Sequence, residues 1–258
     1  MFADVHPETL CLDPDDIEHR ITSRTKAIVA VHWSGHPCKM DKICAIAKKH
    51  GVKVIEDVSH AHGGRYKGQK VGTFGDVAAM SCMSGKSLAV GEVRALGRRG
   101  KPRLAPQVQL RSARWLNLAC WWQGGLLVTD DRSILEQAIL FTHYESADRL
   151  TIEELKATSG LPHSGMKGRM VQTCSAMGRV QLRHYDRRMA EIDRAMNRFW
   201  DLLEDTPGVR AHRPTAGSGS TMGGWYSAKG IYQAEELGGL PIKKFLEALK
   251  AEGASKRL

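Results

Sequence analysis

Apolar residues recur along this chain in two rhythms, and their alternation predicts an α/β architecture. Lys26–Trp33 (KAIVAVHW) is a short, β-branched run bounded by polar residues, the pattern of a buried strand. Gly35-His36-Pro37 breaks it. Met40 to His50 then spaces Met40, Ile43, Cys44, Ile46 and Ala47 helically and stops at Gly51. Val52–Glu56 returns to the strand pattern. A strand–helix–strand unit of this length implies two parallel strands joined by a crossover helix. Ligands of such sheets gather at the carboxyl ends of the strands, where Asp57 stands.

Further along, Gly63, Gly64 and Gly68 mark turns. Gly72-Thr73-Phe74-Gly75-Asp76 leads into the apolar run Val77–Cys82. Leu126–Thr129 reads as a strand and Ser133–Phe141 as a helix. One long helix is predicted from Val171 to about Leu203, with a stripe of Met177, Val180, Tyr185, Met189, Ile192, Met196, Phe199 and Leu203. Pro207-Gly208 ends it. Thr215–Gly224 has a loop composition, and Leu240–Glu252 forms a last helix with Pro241 in its first turn. No internal repeat is present.

Length and composition fit a globular protein with a sizeable core: 258 residues, 42% apolar and 26% charged. No apolar run reaches the length of a membrane span, and the N-terminus lacks a secretory pattern, so the expectation is a cytoplasmic protein. The six cysteines form no CxxC pair and read as free thiols. His36-Pro37-Cys38 and His60-Ala61-His62 lack a second ligand pair, so no metal site is expected. The net charge of +10 suggests nucleic acid until it is located. Residues 93–123 hold seven of the 38 basic residues and no acid; the other 31 nearly balance the 28 acids. A nucleic-acid surface is therefore not expected outside that segment.

Asp57 at a strand end, Ser81 and Lys86 suit one cofactor. Pyridoxal phosphate needs an amine to hold it covalently, a carboxylate beside its ring nitrogen, and hydroxyl or amide donors for its phosphate. Spacing alone fits equally well a turn-capping Asp and a solvated Lys. The surrounding strings are more specific. Ile21–His32, then Glu56-Asp57-Val58-Ser59-His60-Ala61-His62-Gly63, then Ser81-Cys82-Met83-Ser84-Gly85-Lys86 with Gly91-Glu92, resemble the DegT/DnrJ/EryC1/StrS aminotransferases. The likeness continues through Lys167-Gly168-Arg169-Met170, Ala176–Leu182 and Glu235–Pro241.

The resemblance implies a partial fold-type-I large domain over residues 1–150 and part of a small α+β domain over 151–258. It implies pyridoxal-phosphate-dependent transfer of an amino group, with glutamate as donor, to a keto group of a nucleotide-linked sugar, in a homodimer. It assigns Asp57 to the ring nitrogen, His60 to the ring face, Ser81 to the phosphate, and Lys86 to covalent attachment and proton transfer. Members that dehydrate sugars carry histidine in place of this lysine, so Lys86 points to amino transfer. A non-catalytic fragment of the same family is the competing reading.

Three departures accompany the likeness. The family's amino-terminal portion, with its phosphate loop, is expected to be missing, and so is the end of the small domain. Lys167 stands near the position of a family asparagine that reaches the partner subunit's phosphate. A break at 93–123 also separates Gly91-Glu92 from Gly124-Gly125, two halves of one family string. Val93 and Gln123 are compatible with the GT and AG boundaries of a retained intron. The alternative is a basic insertion with Trp115, Trp121 and Trp122 as stacking groups.

Overall fold

The computed structural model describes residues 1–90, 124–142, 147–159 and 168–254. In chain order the elements are α1 (Pro14–Arg20), β1 (Ala27–Val31), α2 (Met40–His50), β2 (Lys53–Asp57), β3 (Arg65–Tyr66), β4 (Gln69–Lys70), β5 (Val77–Ser81) and β6 (Gly125–Val128). Then come α3 (Arg132–Thr142), α4 (Glu153–Thr158), α5 (Gln172–Arg183), α6 (Tyr185–Asp201), β7 (Val209–Ala211), β8 (Gly230–Tyr232) and α7 (Ile242–Ala251). The main sheet has the order β1-β2-β5-β6. Its first three strands are parallel, and β6 runs antiparallel to β5.

Strand alternation gives the sheet two unlike faces. On one, Ile28, Ala30, Val54 and Ala78 are buried. Ile17 of α1 and Met40, Ile43 and Ala47 of α2 pack into the same core as Ile28, Ala30 and Val54. The other face carries the row Val31–Asp57–Ala79–Leu127. Val29, Val31 and Leu127 on it are exposed among the described residues. Asp57 thus stands at a strand end on the open side. Among the described residues no helix is long and apolar enough to cross a membrane.

The predicted crossover unit is present, with α2 over the predicted residues. Strand β1 is shorter than expected. It ends at Val31, and Trp33–Gly35 forms a 3-10 turn with Ser34 at φ 54°. The single long helix is in fact two. His184, at φ −107° and ψ 2°, ends α5 and precedes α6. The break lets Tyr185 turn inward, where it is buried and its hydroxyl donates to the His62 carbonyl at 2.9 Å. Helix α1 was not anticipated because Ile17 is its only large apolar residue. Its start is nonetheless written in Asp13-Pro14: the Asp13 carboxylate accepts from the Asp15 amide at 3.1 Å, and Pro14 opens the first turn.

The loop between β5 and β6 is closed at its base. The Cys82 amide donates to the Gly124 carbonyl at 2.7 Å, and the Val90 amide donates to the Cys82 carbonyl at 2.9 Å. Gly124 packs so closely on Val90 and Met170 that a β-carbon would collide with both. The predicted break at 93–123 lies outside the described residues.

Glu56 is fully buried on the helix-covered face. Its carboxylate accepts from the amides of Gly72, Phe74 and Gly75 at 2.7, 2.8 and 2.7 Å, and lies 3.1 Å from His32 Nε2. The Cys38 amide donates to His32 Nδ1 at 3.0 Å, which leaves Nε2 to carry the proton and donate. Burial pushes the Glu56 carboxyl up, but His32 and the Gly75 and Gly72 amides outweigh it and bring it below its ordinary value.

A depressed carboxylate stabilises the fold above its ordinary value of 4.5, and that contribution is lost as pH falls through the lower folded value. Glu56→Gln turns an amide NH2 toward backbone donors and is expected to cost about 3–5 kcal/mol. Urea melts from pH 7 to pH 3 check this. The gap between wild type and Glu56→Gln should shrink on acidification, and a constant gap would count against a charged clamp.

Candidate active site

Three backbone segments meet at the carboxyl end of the sheet, and glycines permit the crossing. The Gly223 amide donates to the Gly35 carbonyl at 2.8 Å. A β-carbon on Gly223 would run into the Ala61 carbonyl, and one on Gly35 (φ 101°) into the Gly223 carbonyl. This close approach brings the segment after Gly223 over the loop that follows Asp57.

Asp57 turns one carboxylate oxygen to the Ser59 amide at 2.9 Å. His60 lies on the same loop. Its ring is stacked on Tyr226 with centroids 3.8 Å apart and planes 7° apart, and Trp33 lies 5.4 Å from it at 55°. Lys86 follows β5, and its Nζ sits 4.5 Å from the centroid of the same Tyr226 ring. Burial lowers the His60 pKa, the Lys86 charge lowers it further, and Asp57 opposes both. Burial also lowers the Lys86 pKa, with Asp57 again opposing. Asp57, His60 and Lys86 therefore share one electrostatic neighbourhood.

Ser81 ends β5. Its amide donates to Ser59 Oγ at 3.0 Å, and its hydroxyl receives the Met83 amide at 3.4 Å. Two hydroxyls thus lie at adjacent strand ends. Lys86 is backed by a network that the sequence did not disclose. Ser87 Oγ lies 3.2 Å from His62 Nδ1 and 3.0 Å from the Tyr185 hydroxyl, and Arg188 donates to the Ser87 carbonyl at 2.9 Å. His62 is buried, and its Nε2 has no partner among the described residues. Lys167, Gly91 and Glu92 lie outside the described residues. Among those described, no group of three or more His, Cys, Asp or Glu residues could hold a metal ion.

The donor set fits pyridoxal phosphate. A flat six-membered ring demonstrably lies on His60, since Tyr226 supplies one. An amine sits above that ring, a carboxylate is close by, and two hydroxyls line the strand ends. The match to known sequences agrees. The model of the DegT/DnrJ/EryC1/StrS aminotransferase family matches residues 1–96 and 117–258.

The chain belongs to the DegT/DnrJ/EryC1/StrS aminotransferase family.

Members of this family depend on pyridoxal phosphate. The unmatched residues 97–116 fall inside the break read from the sequence. One relative, the L-glutamine:2-deoxy-scyllo-inosose aminotransferase of Streptomyces kanamyceticus, is 30% identical over 98% of this chain and 52% of its own length. Another, the GDP-perosamine synthase of Escherichia coli O157:H7, is 31% identical over 72% of this chain and 41% of its own. The crystal structure of S. venezuelae DesV superposes with a TM-score of 0.65 at 26% identity, covering 95% of this chain and 54% of that one. The chain thus spans about half the length of the curated relatives it matches. Its fold is that of fold-type-I aminotransferases.

The structure places Asp57, His60 and Lys86 together, with Ser81 at the adjoining strand end. Sequence reasoning missed Tyr226, the nearest ring to both His60 and Lys86. The signal available was Gly223-Gly224 before Trp225-Tyr226, a permissive backbone followed by two large rings.

Two measurements check the arrangement without any ligand. Asp57→Asn removes the charge that holds the Lys86 pKa up, so the midpoint of Lys86 acylation by an amine-reactive ester should shift to lower pH. Peptide mass analysis reads that shift, and an upward shift would contradict the geometry. Gly223→Ala should lower the melting midpoint by several degrees, because Ala61 backbone is the obstacle.

Proposed function

We propose that this site serves pyridoxal-phosphate-dependent transfer of an amino group from glutamate to a keto group of a nucleotide-linked sugar. The observation that carries the proposal is the flat-ring seat on His60 with the Lys86 amine above it and Asp57 alongside. The names of the relatives support the substrate class: one is an L-glutamine:2-deoxy-scyllo-inosose aminotransferase, another a GDP-perosamine synthase.

When bound, pyridoxal phosphate supplies an electron sink for the carbon that gains or loses the amino group. The residues of the chain do the rest. Asp57 would favour a proton on the ring nitrogen through its negative charge. His60 offers an uncharged face, since burial and Lys86 both disfavour its protonation. Ser81 and Ser59 present hydroxyls at the strand ends for the phosphate. Lys86 would hold the cofactor covalently and would serve as the group that moves a proton between the donor and acceptor carbons. That shuttle requires a neutral amine for part of the cycle, and burial moves Lys86 in that direction. A homodimer would complete the site, and Lys167 would offer a cation to phosphate.

Titration with pyridoxal phosphate should give the absorbance of covalently held cofactor, and Lys86→Ala should abolish it. Glutamate-dependent conversion of a nucleotide-linked keto sugar should fall at least about 10²-fold in the same variant. A wild-type chain that gives no such absorbance would overturn the enzyme reading in favour of a non-catalytic member.

A further inference from the structure

Tyr226 covers a face of His60, the residue that the proposed function assigns to the cofactor ring. Its plane is within 7° of His60 at a centroid separation of 3.8 Å, so that face of the imidazole is covered. The Lys86 amine rests over the same phenol ring at 4.5 Å, a cation–π contact that draws it toward Tyr226. A second flat ring cannot share this space.

The segment that carries Tyr226 is held on both sides: beyond it Ser227 Oγ donates to Ser34 Oγ at 3.4 Å and the Lys229 carbonyl accepts from the His212 amide at 3.0 Å. Gly223 and Gly224 are wedged against Ala61, His60 and Ser87. Trp225 is buried, donates from Nε1 to Asp193 of α6 at 2.7 Å, and takes φ 40°, a conformation that bulky residues avoid. Tyr226 itself is 40% exposed, and its hydroxyl makes no hydrogen bond among the described residues. The stack on His60 and the contact with the Lys86 amine hold the ring in place. The ring can therefore leave without breaking the anchors on either side.

We propose that Tyr226 is an internal competitor of the cofactor: it fills the cofactor ring's seat on His60 in the unloaded chain and must swing away for loading. This rests on His60 being the cofactor's stacking wall, as set out above. Cofactor affinity is then set partly by a residue that never contacts the bound cofactor in that seat.

The test is a pair of variants titrated with pyridoxal phosphate alone, followed by absorbance and by equilibrium dialysis. Tyr226→Ala should bind about 3- to 10-fold more tightly than wild type, the range expected on removing one competing aromatic stack. Tyr226→Phe keeps the ring and should bind as wild type does. Without cofactor, Tyr226→Ala should also raise the rate of Lys86 acylation, because the ring no longer covers the amine. Binding by Tyr226→Ala alone, with none in wild type, would be the strongest support. Equal or weaker binding in Tyr226→Ala, with cofactor still captured by wild type, would overturn the competitor and leave the proposed function standing. Absence of binding in all three chains would overturn both.

Discussion

The fold and the site both depend on how one buried carboxylate is satisfied. Glu56 has no access to water, so its charge is tolerable only if every acceptor position is filled. Three backbone amides from the 72–75 turn and one imidazole do this. The clamp ties β2 to β1 through His32 and to the entry of β5 through the turn. It also fixes which way the strand faces. With Glu56 inward, alternation turns Asp57 to the opposite side, at the mouth of the sheet. The two acids are adjacent in sequence and have opposite environments, one sealed and one open to a partner.

This division explains what was legible in the sequence. The β1–α2–β2 unit was readable because its apolar spacing is regular and Gly51 ends the helix with a positive φ. Glu56-Asp57 was recognisable as a string, and Asp57 as a candidate for the site, but the clamp at Glu56 was not. The clamp's donors come from a turn whose backbone geometry leaves no side-chain signature. Asp57, His60 and Lys86 are candidates through their flanking strings, and the structure sets them in one electrostatic neighbourhood. Ser81 stands at the expected strand end. The helix from Val171 was read as continuous because its stripe continues across His184. The stripe is shared by two helices, and the pull of the His62 carbonyl and Ser87 on Tyr185 decides the break. Tyr226 was invisible because its partners are reached only through a tertiary crossing of glycines.

That crossing makes residues 223–226 part of the site's wall. The Thr221 amide bonds Arg65, His212 bonds the Thr9 carbonyl, and Gly223 bonds Gly35. The strand-end loop and this late segment consequently share one packing surface. Movement at either side of the glycine contact is felt at the other.

The closure at Cys82, Val90 and Gly124 bears on the chain's tolerance of inserted sequence. The two ends of residues 91–123 are pinned by backbone bonds and side-chain packing that involve none of the intervening residues. Chain-closure entropy grows only logarithmically with length, by roughly 0.6 kcal/mol for each doubling. A flexible insertion at that point would therefore cost the sheet little. Losing residues 93–123 would remove seven of the chain's 38 basic residues and none of its acids.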